Sequence, residues 1–211
     1  MEALGNPLQR TAEWFNDRIG CLTASQANDA LARSKRDNKP LKGYFDLIDK
    51  LVAERVTGQP IGTATTVAMQ WGIDHEDEAR NRYEIETGEI VDLVGFIPHP
   101  DIPWFGASPD GLVGEDGLIE IKCPATTTHL RRIKEGVVPE EYKAQMQVQL
   151  LCTGRKWVDF VSYDPRVQGD FESLQFWTIR YQPTEDELED TKRKCVEFLE
   201  DVEATLEELI H

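Results

Sequence analysis

Apolar residues recur with the period of an α-helix in several segments of the chain. In residues 43–56 they fall three or four positions apart, as on one buried helix face. Thr23 and Thr184 each precede a Gln or Glu by three residues, which is the spacing of a capping box, and Gly88 is a stop signal. The predicted helices cover residues 23–32, 43–56, 67–86, 140–151 and 184–210.

Shorter segments have the composition of β-strands, because they are rich in Val, Ile, Phe or Tyr and are bounded by Gly, Pro or Asp. These predicted strands cover residues 89–97, 103–107, 118–123, 157–163 and 174–181. The second and third flank a Gly- and Asp-rich turn and are predicted to pair as a hairpin. Helices before, between and after the strands predict an α/β fold with a central mixed sheet flanked by helices. We expect residues 1–211 to form a single domain, with an acidic C-terminal helix over 184–211.

The composition predicts a folded protein of a reducing compartment. Of the 211 residues, 40 % are hydrophobic and 29 % are charged, which excludes wholly disordered and fibrous chains. No apolar run reaches the about 18 residues of a membrane span, and Met1–Trp14 lacks the pattern of a signal peptide. We therefore expect a cytoplasmic protein with no membrane partner. The four cysteines are scattered along the chain, which argues against a nuclease that carries an iron–sulfur cluster.

The net charge of −16 is unusual for a protein that binds nucleic acid, because phosphate neutralisation supplies most non-specific affinity. It leaves open an acidic regulatory protein that mimics DNA and has no catalytic activity. Much of the acidic excess lies in residues 61–137 and 184–211. The chain has two basic clusters, which either contact the phosphates of a nucleic acid or form solvated surface. The first consists of Arg33, Lys35, Arg36, Lys39 and Lys42, and the second of Arg131, Arg132 and Lys134.

The candidate chemistry lies in and before the strand 118–123. Glu120 and Lys122 are two residues apart and therefore share one strand face. Asp110 precedes Glu120 with nine residues between them, and cross-strand neighbours in a hairpin have Cβ atoms about 5 Å apart. Both carboxylates can then reach one hard cation such as Mg²⁺, which also relieves their mutual repulsion. Each half of this pattern alone is also typical of a solvated strand or a turn. Together they match the PD-(D/E)xK pattern of restriction-endonuclease-like nucleases.

Two helices offer further polar groups. Glu76 lies in the helix before the strands and can add a third carboxylate. Its neighbour His75 is either a metal ligand or a structural histidine. In the helix 140–151, Tyr142, Gln145 and Gln149 lie near one face, where they either orient water or phosphate or form ordinary surface.

These segments, in this order, resemble the phage lambda-type exonuclease family, also called the YqaJ-like viral recombinase family. The resemblance covers roughly residues 11–182. The motifs that carry it are Trp14 to Ser25, Trp71 to Arg80, the segment 104–124, the Tyr142/Gln145 helix, and Tyr163 to Arg166.

The resemblance implies a Mg²⁺-dependent 5′→3′ exonuclease that degrades one strand of duplex DNA from its ends, with Mn²⁺ as a substitute metal. In this sequence it implies Asp110, Glu120 and the Ile121 carbonyl as metal ligands, with Lys122 positioning or activating the attacking water. Glu76 and Gln145 would complete the site. Arg18, Ser25 and Ser108 would bind the 5′-terminal phosphate.

The resemblance also implies a ring-shaped homotrimer and a single-strand annealing protein as partner in homologous recombination. A phage or prophage origin and a bacterial cytoplasm follow from the same source. We expect the ring interior to carry Lys35, Arg36, Lys39, Arg131, Arg132 and Lys134, and the acidic helix to face outward.

Overall fold

The secondary structure alternates helices with short strands over residues 9–34, 36–62 and 65–211, which the computed structural model describes. The helices are α1 Ala12–Asp17, α2 Ala27–Leu31, α3 Lys42–Thr57, α4 Val67–Thr87, α5 Thr126–Glu135, α6 Glu140–Thr153 and α7 Glu185–Ile210. The strands are β1 Leu22–Thr23, β2 Val91–Asp92, β3 Ile97–Pro98, β4 Phe105–Ala107, β5 Gly111–Val113, β6 Gly117–Lys122, β7 Trp157–Tyr163 and β8 Phe176–Tyr181. The predicted α/β class and the long C-terminal helix are confirmed.

The larger sheet is mixed, as the element order predicts. Its strand order is β2-β5-β6-β7-β8. Strands β6 and β7 are parallel, and the other neighbours are antiparallel. A parallel pair needs a crossover, and the chain makes it through α5 and α6. Because β5 and β7 pair with the two edges of β6, helices can cover both of its faces.

Helices α4 and α6 cover the two faces of β6. On one face, Ile119 and Ile121 pack with Ala79 and Tyr83 of α4. On the other face, Leu118 packs with Met146 and Leu150 of α6. A strand buried on both sides brings its polar side chains into the interior, and this sets the environment of the candidate site.

The predicted hairpin between residues 103–107 and 118–123 is wrong. β6 pairs with β5, whereas β4 belongs to a separate sheet with the order β1-β4-β3. The sequence does not reveal the short Gly-Leu-Val strand, because its glycine also fits the predicted Gly- and Asp-rich turn. Gly111 is required there, since a Cβ at this position would lie 2.2 Å from Val91 Cγ1 of the adjacent strand.

Other boundaries also differ from the predictions. Segment 89–97 contributes β2 to the larger sheet and β3 to the smaller one, so it is not one strand. Helix α5 was missed because it opens with three threonines, which are weak helix formers. Both capping boxes are present, at Thr23 and Thr184. Helix α7 packs through Cys195, Phe198 and Val202 on the core around α3. Among the described residues, no helix has the length and apolarity to cross a membrane.

Candidate active site

Asp110 and Glu120 come together at the start of the β5–β6 pairing. Gly111 pairs with Ile119, so the residues just beyond this pair, Asp110 and Glu120, face each other. The Ile121 amide donates a hydrogen bond to Asp110 Oδ2 at 2.6 Å. Lys122 lies two residues after Glu120, and its Nζ contacts Glu120 Oε1. Two carboxylates and one ammonium group therefore meet at one end of β6.

Two glutamines of α6 hold the Glu120 carboxylate. Gln145 Nε2 donates to Oε1 at 2.6 Å, and Gln149 Nε2 donates to Oε2 at 2.5 Å. Glu120 is only 1 % exposed, and Gln149 is fully buried. A buried carboxylate is tolerated only when hydrogen bonds or charges satisfy it. Here the two amides and Lys122 do so, and they fix the direction of both oxygens.

The electrostatics of the cluster favour a bound cation. Burial, followed by the charges of Glu120 and Glu76, raises the pKa of Asp110 well above its usual range. Burial disfavours the charged form of Lys122, but the carboxylates of Glu120 and Asp110 outweigh it and raise the pKa of Lys122 above its usual range. Lys122 is therefore an ammonium group at neutral pH. Asp110 and Glu120 share this one ammonium group, so a divalent cation between them would relieve their mutual repulsion.

An open cavity of about 840 Å³ gives access to this cluster. The N-terminal half of α4 forms one wall and contributes Trp71 and Glu76, and Asp110, Lys122 and Arg166 also line the cavity. The carboxylate of Glu76 is held by Arg10 and by Arg80, whose Nη2 lies 2.9 Å from Oε1.

A second cavity, of about 330 Å³, lies beside Arg18, which follows α1. Trp14 connects this cavity with the segment that leads to Asp110. The Arg18 guanidinium lies over the ring of Trp14, with 3.9 Å between Cζ and the ring centroid. Trp14 Nε1 donates to Ser108 Oγ at 2.9 Å. Burial lowers the pKa of Arg18 to about 10, so the ion remains charged at neutral pH.

Ser25 lies on the same side of the smaller sheet. Strands β1 and β4 are parallel, so the residues after β1 and those after β4 leave the sheet at one end. Ser25 follows β1 and is exposed, with its Oγ 3.2 Å from Thr23 Oγ1. Ser108 follows β4. The topology thus places both serines at the end of the sheet that leads to Asp110, and Arg18 is linked to Ser108 through Trp14.

Comparison with known proteins identifies the family. A model described as the YqaJ-like viral recombinase domain matches residues 13–156. The chain is 44 % identical to an alkaline exonuclease (LHK-Exo) from Laribacter hongkongensis, with a TM-score of 0.85 over 94 % of this chain and 96 % of that one. The chain belongs to the YqaJ-like viral recombinase family. This membership makes it a nuclease of the exonuclease type associated with recombination.

Two further solved structures are similar to this chain. LHK-Exo in complex with dAMP is 43 % identical, with a TM-score of 0.85 and coverage of 94 % and 96 %. A phage related exonuclease from Haemophilus somnus 129PT is 14 % identical, with a TM-score of 0.66 over 90 % of this chain and 96 % of that one, and shows the same fold. No protein among those with curated functions matches the sequence.

Most of the predicted catalytic residues of this YqaJ-like chain converge on one cavity. Glu76, Asp110, Ile121 and Lys122 line it, and Glu120 lies beneath them with its carboxylate toward Lys122 and Gln145. His75 instead lies against Trp71, with 4.0 Å between ring centroids, and its Nδ1 is 3.2 Å from Glu78. His75 does not line the cavity.

The prediction that Arg132 lines the interior of a ring is wrong. Arg132 is only 4 % exposed, and its guanidinium lies over the rings of Tyr142 and Phe160. The α5 helix turns this face inward, so Arg132 is not available to line a ring interior. Arg131 and Lys134 are exposed, as are Arg36 and Lys39. Lys35 lies outside the described residues.

Some residues that contact the candidate site have no role that the sequence predicts. Trp14 lies four residues before Arg18, and this helical spacing was the available signal for their contact. Arg166 belongs to the motif Tyr163 to Arg166; its side chain donates two hydrogen bonds to Asp164 and stacks on Trp71. Arg10 had no signal, because its contact with Glu76 depends entirely on the tertiary fold.

The donor set fits a divalent metal, which is typical of this nuclease family. Asp110 and Glu120 supply hard oxygen ligands, and burial together with the charges of Glu120 and Glu76 raises the pKa of Asp110. Among the residues described, no three His, Cys, Asp or Glu side chains form a ready cage.

Proposed function

We propose that this protein is a Mg²⁺-dependent 5′→3′ exonuclease that degrades one strand of linear duplex DNA from its ends. The observation that carries the proposal is the meeting of Asp110, Glu120 and Lys122 at the floor of an open cavity. Phosphodiester hydrolysis needs negative charge on the phosphate to be neutralised and a water molecule to be held in line. This cluster supplies groups for both tasks.

Each protein group has a separate task in this mechanism. Asp110, Glu120 and the Ile121 carbonyl would hold the metal, and Mn²⁺ would substitute for Mg²⁺. When bound, the metal supplies positive charge to the scissile phosphate and favours ionisation of the attacking water. Gln145 and Gln149 hold the Glu120 carboxylate in a fixed direction. Lys122, whose Nζ contacts Glu120 Oε1, would position or activate the attacking water.

The 5′ polarity rests on the pocket around Arg18. Among the residues described, no hydrogen-bonding partner is found for the Arg18 guanidinium, although burial penalises its charge. Ser108 Oγ accepts a hydrogen bond from Trp14, so its own hydroxyl hydrogen remains free to donate. Together with Ser25, these donors suit a terminal phosphate. Ser108 is two residues from Asp110, which would place the strand end close to the bond to be cut.

The assembly, partner and location remain part of this proposal. We expect residues 1–211 to act as one nuclease domain within a homotrimeric ring. The ring would be lined by exposed basic residues such as Arg131 and Lys134. We further propose a single-strand annealing protein as partner, the bacterial cytoplasm as location, and a phage or prophage origin.

The test is digestion of a linear duplex with one 5′-phosphorylated and internally labelled strand. We expect nucleotide release from the phosphorylated 5′ end with Mg²⁺ and none with EDTA. An acidic DNA mimic would bind no duplex and release nothing under either condition. Release from 3′ ends alone would contradict the polarity, and release in EDTA would contradict the metal requirement.

A further inference from the structure

Glu76 has two cationic partners that differ in origin. Arg80 belongs to the same helix and is four residues away, so its contact follows from helical spacing. Arg10 comes from the segment before α1, 66 residues earlier in the chain. The side chain of Glu76 is 17 % exposed and that of Arg10 is 40 % exposed. The second contact is therefore a tertiary one, made to a residue that lines the catalytic cavity.

The segment that carries Arg10 is fixed independently of its guanidinium. Gln9 Nε2 donates to the Pro109 carbonyl at 2.7 Å, directly before Asp110. Arg10 itself has a left-handed backbone with φ of 71°, a conformation that is uncommon for residues other than glycine. The segment thus lies across the Pro109–Asp110 turn and directs Arg10 toward the same carboxylate cluster.

We infer that Arg10 is a positioning residue that competes with the divalent cation for Glu76 and so lowers the affinity of the site for metal. This inference rests on the proposed function, because it requires a cation at Asp110 and Glu120. Arg10 adds a second guanidinium to a carboxylate that Arg80 already contacts, so it further weakens the attraction of Glu76 for that cation. Arg10 would yield the carboxylate when metal and substrate enter, since its partly exposed side chain can be released to water at small cost.

The inference predicts tighter metal binding by the variant, whereas the loss of a metal ligand weakens metal binding. Arg10→Gln should tighten Mn²⁺ binding, by about 1.5- to 5-fold for a partly exposed ion pair. The gain should disappear in a Glu76→Gln background if Arg10 acts through Glu76. Arg10→Lys, which keeps the charge, should bind Mn²⁺ like the parent protein. Arg82→Gln is a matched control, because it removes an equal charge and an ion pair with Glu86 from the same helix.

The experiment is titration of the full-length proteins with Mn²⁺ alone, with free Mn²⁺ followed by electron paramagnetic resonance. Unchanged or weaker binding by Arg10→Gln overturns the inference. An equal gain with and without Glu76 also overturns it, because the effect would then be general electrostatics. Asp110→Asn distinguishes a failure of the inference about Arg10 from a failure of the proposed function. If this variant binds Mn²⁺ like the parent, the metal site itself is misassigned.

Discussion

Two buried glutamines of α6 allow the role of the Glu120 carboxylate to be tested without touching a proposed metal ligand. Gln149 Nε2 donates to Glu120 Oε2, while its own Oε1 is buried with no partner among the described residues. We predict that Gln149→Leu lowers kcat strongly and stability only slightly. A hydrogen bond to a charged group contributes about 1.5–3 kcal/mol, which corresponds to roughly a 10- to 150-fold loss in kcat.

The stability change should be small because two effects oppose each other. Removing the amide leaves Glu120 Oε2 with one donor fewer, but it also removes a buried acceptor without a partner. Each such group costs about 1–3 kcal/mol when left unsatisfied. We therefore expect the free energy of unfolding to change by no more than about 1–2 kcal/mol, since the two costs have opposite signs.

Gln147 provides the matched control on the same helix. It is also buried, but its Nε2 donates to Tyr181 and its Oε1 accepts from Thr191 at 2.6 Å. Gln147→Leu leaves both partners unsatisfied and should cost more stability than Gln149→Leu, with kcat of the folded protein unchanged. Steady-state cleavage of linear duplex and urea unfolding give the two readouts. If Gln149→Leu keeps kcat within about twofold, or if both variants lose kcat equally, the assigned role of Gln149 is refuted.

Three further predictions concern the phosphate pocket, the cavity charge and the assembly. Arg18→Ala should make initial rates on 5′-phosphorylated and 5′-hydroxyl duplexes equal, with a loss of about 1.5–3 kcal/mol confined to the phosphorylated end; a preference that survives would exclude Arg18 from the pocket. Because the folded-state pKa of Asp110 is raised, ionisation of this group destabilises the metal-free fold as pH rises through that pKa. Asp110→Asn should therefore have the higher melting temperature in EDTA at pH 8, with the difference vanishing toward pH 4, and a variant less stable at pH 8 would contradict the charge account. Light scattering should give the mass of a trimer, and digestion of a long duplex should continue after trap DNA is added; a monomer would exclude the ring.

The elements that carry the site were predictable because their signals are local. The two-residue period of a strand places Glu120 and Lys122 on one face, and the spacing to Asp110 indicates a pair across a turn. The 3.6-residue period likewise identifies α4 and α6 as helices beside the sheet. What failed was the identity of the strand that pairs with β6, because β5 has only three residues and its first is a glycine that also fits a turn.

The remaining misses depend on tertiary packing. The sequence gives no local sign that β6 is covered on both faces, so the burial of Glu120 and its contact with Gln149 were not expected. Arg132 has the composition of a surface residue, yet the orientation of α5 places it over Tyr142. The approach of Arg10 to Glu76 joins distant parts of the chain and cannot be read from spacing.

We propose that Asp110, Glu120 and Lys122 form a metal-dependent hydrolytic site. The most direct measurement compares wild-type protein with Asp110→Asn and Lys122→Ala for nucleotide release from a 5′-phosphorylated linear duplex in Mg²⁺. We predict release by the wild type only, and retained binding of the same duplex by both variants in Ca²⁺. Hydrolysis by Asp110→Asn at the wild-type rate would contradict the account.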